Sequence, residues 1–264
     1  MDLPLLRYAL EFSDVSLRIE ISFIVLSLCL IAFWFFQKLF PNFLFGEDSE
    51  FAGYIYNAMG IVYSLVFAFV TVLVWQNYNG VSDAIAKEAS TLNNMYRLFS
   101  AFPPELEKKG QEAIKVYTKT VIEDEWPLLS KDQFSVKAYQ ELLKIDSLVI
   151  HIQPQNAGQS NAHLQMLRLA SEATELRRSR VYNARFALAS PAWLGLLSSS
   201  LIFLLFSCLF KMRSAKTHLT LILFLGLTIV GVIYFLVLFI HPFLGPMALD
   251  PGPLMNLLKL SWTY

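Results

Sequence analysis

Two hydrophobic patterns alternate along this chain: runs that are apolar on every side, and stretches in which apolar positions recur every three or four residues. The first pattern belongs to a helix surrounded by hydrocarbon, the second to a helix with one face on a protein core. Four runs of the first kind approach or meet the ~17–25 residues needed to cross a ~30 Å hydrocarbon layer. They lie at about residues 21–36, 51–75, 192–210 and 219–239. Interfacial residues mark their rims: Trp34 and Lys38 at the first, Tyr54 and Tyr56 at the start of the second, Trp75 and Tyr78 at its end. Pro191 opens the third, where its missing N–H leaves no hydrogen bond unmade. The connections within each pair of runs are short, so two antiparallel hairpins are expected.

The second run does not end at the membrane boundary. From Gly53 to Ala101 no Pro intervenes, and Gly80 is the only weak point. The pattern predicts one helix of about 49 residues, roughly 75 Å at ~1.5 Å per residue. Steps of three or four place Asn57, Gly60, Ser64, Ala68, Thr71 and Trp75 on one face, followed on the same face by Ile85, Ala89, Leu92, Tyr96 and Phe99. In the first half the stripe holds the small and polar members of an apolar helix; in the second it holds the apolar members of a polar one. One surface is thus expected to face the protein interior while the surroundings change from lipid to water.

Between the hairpins the pattern is helical throughout. Leu106, Ala113, Val116, Tyr117 and Val121 give a stripe that ends at Trp126-Pro127. A further helix is predicted after Ser130 as cap, carrying Val136, Tyr139, Leu142, Leu143 and Val149 up to Pro154. Residues 153–161, rich in Gln, Asn, Gly and Ser, read as an exposed loop. Beyond them Leu164, Leu167, Ala170, Leu176, Val181, Ala184 and Leu188 resume a helix that leads into the third span. Pro242, Pro246, Pro251 and Pro253 keep the tail from being helical up to about Leu254. After them a short interfacial helix is predicted, with Trp262 and Tyr264 at headgroup depth.

The resulting expectation is an all-α chain with four transmembrane helices and a helical stalk inserted between the second and third spans. Its divisions fall at 1–78 (first hairpin), 79–190 (helical cytoplasmic domain), 191–240 (second hairpin) and 241–264 (Pro-rich tail). Four amphipathic helices make a thin core, and Tyr96, Phe99 and Phe102 look hard for one copy to cover. A homo-oligomer of closed symmetry is therefore expected. Arg7, Arg18, Lys87, Arg97, Arg177, Arg178, Arg180 and Arg185 outnumber Lys38, Lys211, Arg213 and Lys216 on the opposite side, which puts the termini and the middle segment in the cytoplasm. A mixed-charge segment precedes the first run and no small-residue cleavage site follows it, so that run is expected to stay as an anchor.

Composition agrees with a membrane class. Of 264 residues 55% are hydrophobic and 16% charged, and mean hydropathy is +0.48. Formal net charge is zero and Lys and Arg are not clustered enough to track phosphates, which argues against a nucleic-acid partner. Cys29 and Cys208 lie in apolar runs and read as buried small hydrophobes. The histidines, His151, His163, His218 and His241, are scattered and read as solvated. No metal, phosphate-loop or nucleophile-elbow motif is present, so neither an enzyme nor a cofactor is expected. The run Glu123-Asp124-Glu125 is a candidate for a divalent cation shared with neighbouring chains; the plainer reading is a solvated helix end.

The spans hold no Asp, Glu, Lys or Arg at depth, which disfavours an ion-coupled transporter. They do hold Asn57, Ser64 and Thr71, with Tyr63, Phe67 and Trp75 nearby. Several copies around an axis would line a narrow pore with amide and hydroxyl groups and aromatic constrictions. Gly60, Ser64 and Ala68 equally make a small-xxx-small contact for a neighbouring helix.

Four segments carry a resemblance: Gly53-Tyr-Ile-Tyr-Asn-Ala-Met-Gly; Glu88-Ala-Ser-Thr-Leu-Asn-Asn-Met-Tyr-Arg-Leu; Tyr117 with Glu125-Trp-Pro; and His241-Pro-Phe-Leu-Gly with its later prolines. Over residues 50–255 the chain resembles the bacterial bestrophin-like membrane proteins, a domain of unknown function. That family commonly has an acidic residue where Ile240 stands here. The resemblance implies a multi-pass protein of the bacterial inner membrane, an assembly of four or five subunits, and, by analogy with bestrophins, an ion channel passing inorganic ions, anions by preference. The rival expectation is a non-conducting scaffold or signalling module that recruits a partner through its helical stalk.

Overall fold

The computed structural model describes residues 14–41, 44–46, 49–184 and 190–260. Within them the chain is almost entirely helical, and its only strand-like feature is an isolated bridge between Phe45 and Phe210. The helices are α1 (Asp14–Leu39), α2 (Ser49–Leu98), α3 (Pro104–Thr120), the short α4 (Trp126–Leu129), α5 (Val136–Ile150), α6 (Ala157–Ala184), α7 (Ser190–Cys208), α8 (Ala215–Ile240) and α9 (Gly252–Leu260). Four segments are long and apolar enough to cross a membrane: Val15–Leu39, Ser49–Ala101, Pro191–Cys208 and Ala215–Ile240. The chain divides into two compact units, residues 1–76 with 187–240, and residues 77–186 with 241–264.

The expected long helix forms. α2 runs unbroken through Gly80 for 50 residues and ends in a 3-10 turn at Phe99–Ala101, just ahead of Pro103-Pro104. Pro cannot extend the ladder, so the chain turns there and Pro104 opens α3.

In the first unit α1 packs chiefly along α8. Gly226 makes this close approach possible, because the sulfur of Cys29 fills the space that a Cβ at position 226 would need. His218 is buried, which corrects the expectation of a solvated histidine. Its Nε2 lies 3.0 Å from the Ser207 carbonyl, which can only accept, so Nε2 carries the proton and Nδ1 accepts from Gln37 Nε2 at 3.3 Å. Two satisfied ring nitrogens make burial tolerable at a place where water is excluded.

The second unit is built on α3, α5 and α6, with the second half of α2 and the tail. Its core gathers Leu92, Met95, Phe99, Ile114, Leu142, Ile145, Met166 and their neighbours. Phe99 and Phe102 are 0% and 5% exposed within one chain, so they do not need a second copy to cover them. Gly110 explains how: the ring of Phe99 occupies the position that a Cβ at 110 would take.

Three local expectations are corrected here. The α3 helix does not stop at Trp126-Pro127 but widens into a π-turn, Val121–Glu125, and continues as α4. Trp126 N–H closes the wide turn on the Val121 carbonyl, and Pro127 falls in the first turn of α4, where no N–H is required of it. The cap of α5 is Ser135, whose hydroxyl accepts from Ala138 N at 3.1 Å; Ser130 instead donates back to the Pro127 carbonyl. The polar loop is shorter than 153–161, because Asn156 accepts from Gln159 N at 2.9 Å and starts α6 at Ala157. Ser135→Ala is expected to lower stability by about 1 kcal/mol, measured by thermal unfolding in detergent.

The tail returns as α9, whose Leu254 and Leu257 lie in the second unit's core. Trp262 and Tyr264, like Arg7, Arg185 and Leu188, lie outside the described residues.

Candidate functional site

Two sets of residues stand out, one on the membrane half of α2 and one in the interior of the second unit. On α2 the structure divides the six expected pore residues. Asn57 and Ser64 are exposed, and Thr71, on the same face, is partly exposed. Ser64 spends its proton on the Ile61 carbonyl at 2.9 Å, which leaves its oxygen lone pairs directed outward. Tyr63 and Phe67 turn the other way. Tyr63 stacks on Phe203 and meets Ser200 at 2.9 Å; the Ser200 proton already goes to Leu196 O, so the phenol donates. Phe67 is 6% exposed and sits edge-on to Tyr63. Trp75 stacks on Phe235 and meets Phe239 at a tilt of 59°. Trp75 keeps 43% of its surface exposed, whereas Tyr63 and Phe67 are packed within their own unit. The reason is angular: helical steps from Asn57 put Tyr63 and Phe67 about a quarter-turn to a third of a turn away from it. Near the start of α2, an open groove of about 550 Å³ is lined by Ser49, Glu50, Gly53, Tyr54, Tyr56, Asn57, Gly60 and Phe203.

The expected seam residues Ile85, Leu92 and Phe99 are buried and Tyr96 partly so, all within one chain. What the sequence did not announce lies among them. Glu88, one turn from Ile85 and Leu92, is fully buried and grips Arg180 of α6 from two sides, Nε to Oε2 at 2.7 Å and Nη2 to Oε1 at 3.1 Å. Tyr117 of α3 donates to Glu88 Oε1 at 2.6 Å. Glu125, in the π-turn, is also fully buried and lies between two arginines, Arg177 Nη2 at 2.5 Å and Arg180 Nη1 at 2.9 Å. The Arg180 contact is ionic without hydrogen-bond alignment. Glu125 Oε2 accepts in addition from Ser135 N at 3.2 Å, and Arg177 donates to the Ser135 carbonyl at 3.2 Å. The indole of Trp126 lies 5.6 Å from the Arg180 guanidinium carbon.

Two carboxylates and two guanidiniums thus balance in a dry interior, and they tie α2, α3, the π-turn, the α5 cap and α6 together. Burial works against the charge on Arg180, but Glu88 and Glu125 outweigh it and hold the guanidinium protonated above its ordinary range. Burial, with Glu88 accepting its proton, pushes the Tyr117 phenol well above its usual value, so it stays a donor at any physiological pH.

The run Glu123-Asp124-Glu125 does not converge on a cation. Glu123 faces Lys119 at 3.8 Å, Asp124 faces Lys137 at 3.2 Å, and Glu125 points inward to the arginines. The π-turn fans the three carboxylates apart, and among the described residues no three metal-ligating side chains gather. Each has its own positive partner within the chain.

Among the described residues the chain is almost entirely helical, with four helices long and apolar enough to cross a membrane and the helices α3 to α6 between the second and third of them. The chain belongs to the bestrophin-like family: the Bestrophin-like domain matches residues 23–254. Solved structures of similar fold include a leucine-to-threonine variant of a bacterial bestrophin homologue from Klebsiella pneumoniae. It has a TM-score of 0.66 at 10% identity, covering 92% of this chain and 97% of that one. Another is a membrane protein with a proline-to-alanine change, with a TM-score of 0.65 at 10% identity, covering 92% of this chain and 96% of that one. At this identity the likeness establishes the fold alone. No curated protein matches.

Proposed function

We propose that this protein is a homo-oligomeric ion channel whose path is lined by the Asn57, Ser64 and Thr71 face of α2. The observation that carries the reading is the exposure of that face. Asn57 and Ser64 are exposed and Thr71 partly so, in a span whose apolar window is 11% buried against 17%, 33% and 39% for the other three. Membership in the bestrophin-like family supports it. Lipid satisfies amide and hydroxyl groups poorly, whereas a ring of α2 helices around water leaves them hydrated. Neutral amide and hydroxyl groups solvate an anion without holding it, so anions are the favoured permeant class. The second unit and both termini lie in the cytoplasm by the excess of positive charge on that side.

Purified protein in liposomes is expected to release chloride, and Ser64→Leu or Thr71→Leu is expected to reduce the flux at least tenfold without changing the yield of folded protein. Flux in both variants equal to the parent would remove the stripe from the path. Flux absent from the parent under every ionic condition would favour the scaffold reading.

A further inference from the structure

The polar line on α2 begins earlier than Asn57. Counting back by sevens, Thr71, Ser64 and Asn57 lead to Glu50, and each such step returns a helix to within about 20° of the same direction. Glu50 is exposed, like Asn57 and Ser64. It is the charged member of the line, and it stands about 10 Å before Asn57 at ~1.5 Å per residue.

The open groove near the start of α2 joins the two side chains, since both line it. Between them lies Gly53, where a Cβ would meet nothing within 4 Å, so the floor is open there. The charge is also left in place. Tyr54 donates its phenol proton to Glu50 Oε1 at 3.3 Å, a neutral contact. Among the described residues no Lys or Arg forms an ion pair with Glu50.

We propose that Glu50 is a charge filter at the mouth of the path, gathering cations there and opposing the entry of anions that the neutral stripe beyond it solvates. The inference rests on the channel proposed above and names a residue that weights its selectivity. One carboxylate at about 10 Å in water changes the local concentration of a monovalent ion roughly twofold, up for a cation and down for an anion. A closed ring brings one such charge from each subunit, so the effect multiplies. Its reach follows the Debye length, ~30 Å at ~0.01 M salt and ~3 Å at ~1 M. Glu50 also stands in the first turn of α2, where a carboxylate suits the positive end of the helix dipole. That structural role shows in stability and gives no salt-dependent change in ion preference.

Reversal potentials in planar bilayers under a small potassium chloride gradient test it, with thermal unfolding confirming that each variant is folded. Near ~0.01 M salt, Glu50→Gln is expected to raise the chloride-to-potassium permeability ratio at least about threefold, and Glu50→Lys to raise it further. Near ~1 M the differences are expected to vanish. Glu50→Asp, which keeps the charge, is expected to hold the parent's ratio. A conducting parent whose ratio is unchanged in Glu50→Gln and Glu50→Lys at low salt overturns the role of Glu50 and leaves the channel standing. So does a shift in Glu50→Asp as large as that in Glu50→Gln, or one that persists undiminished at high salt. A parent that passes no current overturns both.

Discussion

Replacing Arg180 by methionine is expected to destabilise the second unit by about 3–5 kcal/mol, the largest effect of any single change outside the membrane. Arg180 is fully buried and serves both Glu88 and Glu125. Methionine fills much of the volume but leaves Glu88 with only the Tyr117 hydroxyl and Glu125 with Arg177 and the Ser135 amide. A buried carboxylate deprived of its partner is far more costly than a pair removed together. The triple change Arg180→Met, Glu88→Gln, Glu125→Gln is therefore expected to recover a good part of the loss. Tryptophan fluorescence on heating is a direct readout, because Trp126 lies over the guanidinium. An Arg180→Met protein with the parent's unfolding midpoint would mean that these charges are hydrated in solution and that the interior is not dry.

The second large effect is expected at Gly110. A Cβ there would sit inside the ring of Phe99, which itself has no exposure to escape into. Gly110→Val is expected to cost about 3 kcal/mol or more, above the helix-propensity gain of losing a glycine, because overpacking moves backbone as well as side chains. Combining it with Phe99→Ala, which alone leaves a cavity, is expected to restore part of the loss. Non-additivity of the two changes in thermal unfolding measures the contact. Additive losses would place Phe99 away from α3.

These two positions also mark what could and could not be read from the chain. The apolar stripe in the second half of α2 was legible, since Ile85, Leu92 and Phe99 recur at helical spacing among polar neighbours and are all buried. Hydropathy also located the four spans, each of which falls on one of the four helices long and apolar enough to cross a membrane. Glu88 was not, because a carboxylate in a polar helix reads as solvated. Its partner Arg180 is 92 positions away, and no local rule connects them. A signal was nevertheless present. Glu88 falls at one turn from both Ile85 and Leu92, and Arg177 and Arg180 continue the buried line of Met166, Ala170 and Ala173. Charges on the apolar side of two helices in one chain ask for each other. The acidic run misled for a related reason: without the π-turn, three successive carboxylates look like one cluster, and the extra residue in that turn is what sends Glu125 inward. On the membrane half of α2, Tyr63 and Phe67 stand about a quarter to a third of a turn from the polar stripe, Tyr63 stacked on Phe203 and Phe67 edge-on to Tyr63. Periodicity sets that angle, and the tertiary partners that cover one edge of a broad stripe are not written in it.

Water access along α2 tests the central claim most directly. Single cysteines at Val62, Ser64, Ala68, Phe69 and Thr71, in a background with Cys29 and Cys208 replaced, would be reacted with a small charged thiol reagent in liposomes while ion flux is followed. Ser64, Ala68 and Thr71 are expected to react and to block flux on reaction, and Val62 and Phe69, exposed on the far side of the helix, to remain unmodified in lipid. Equal reaction at all five positions, or complete modification at Ser64 and Thr71 with flux unchanged, would contradict a conduction path along this face.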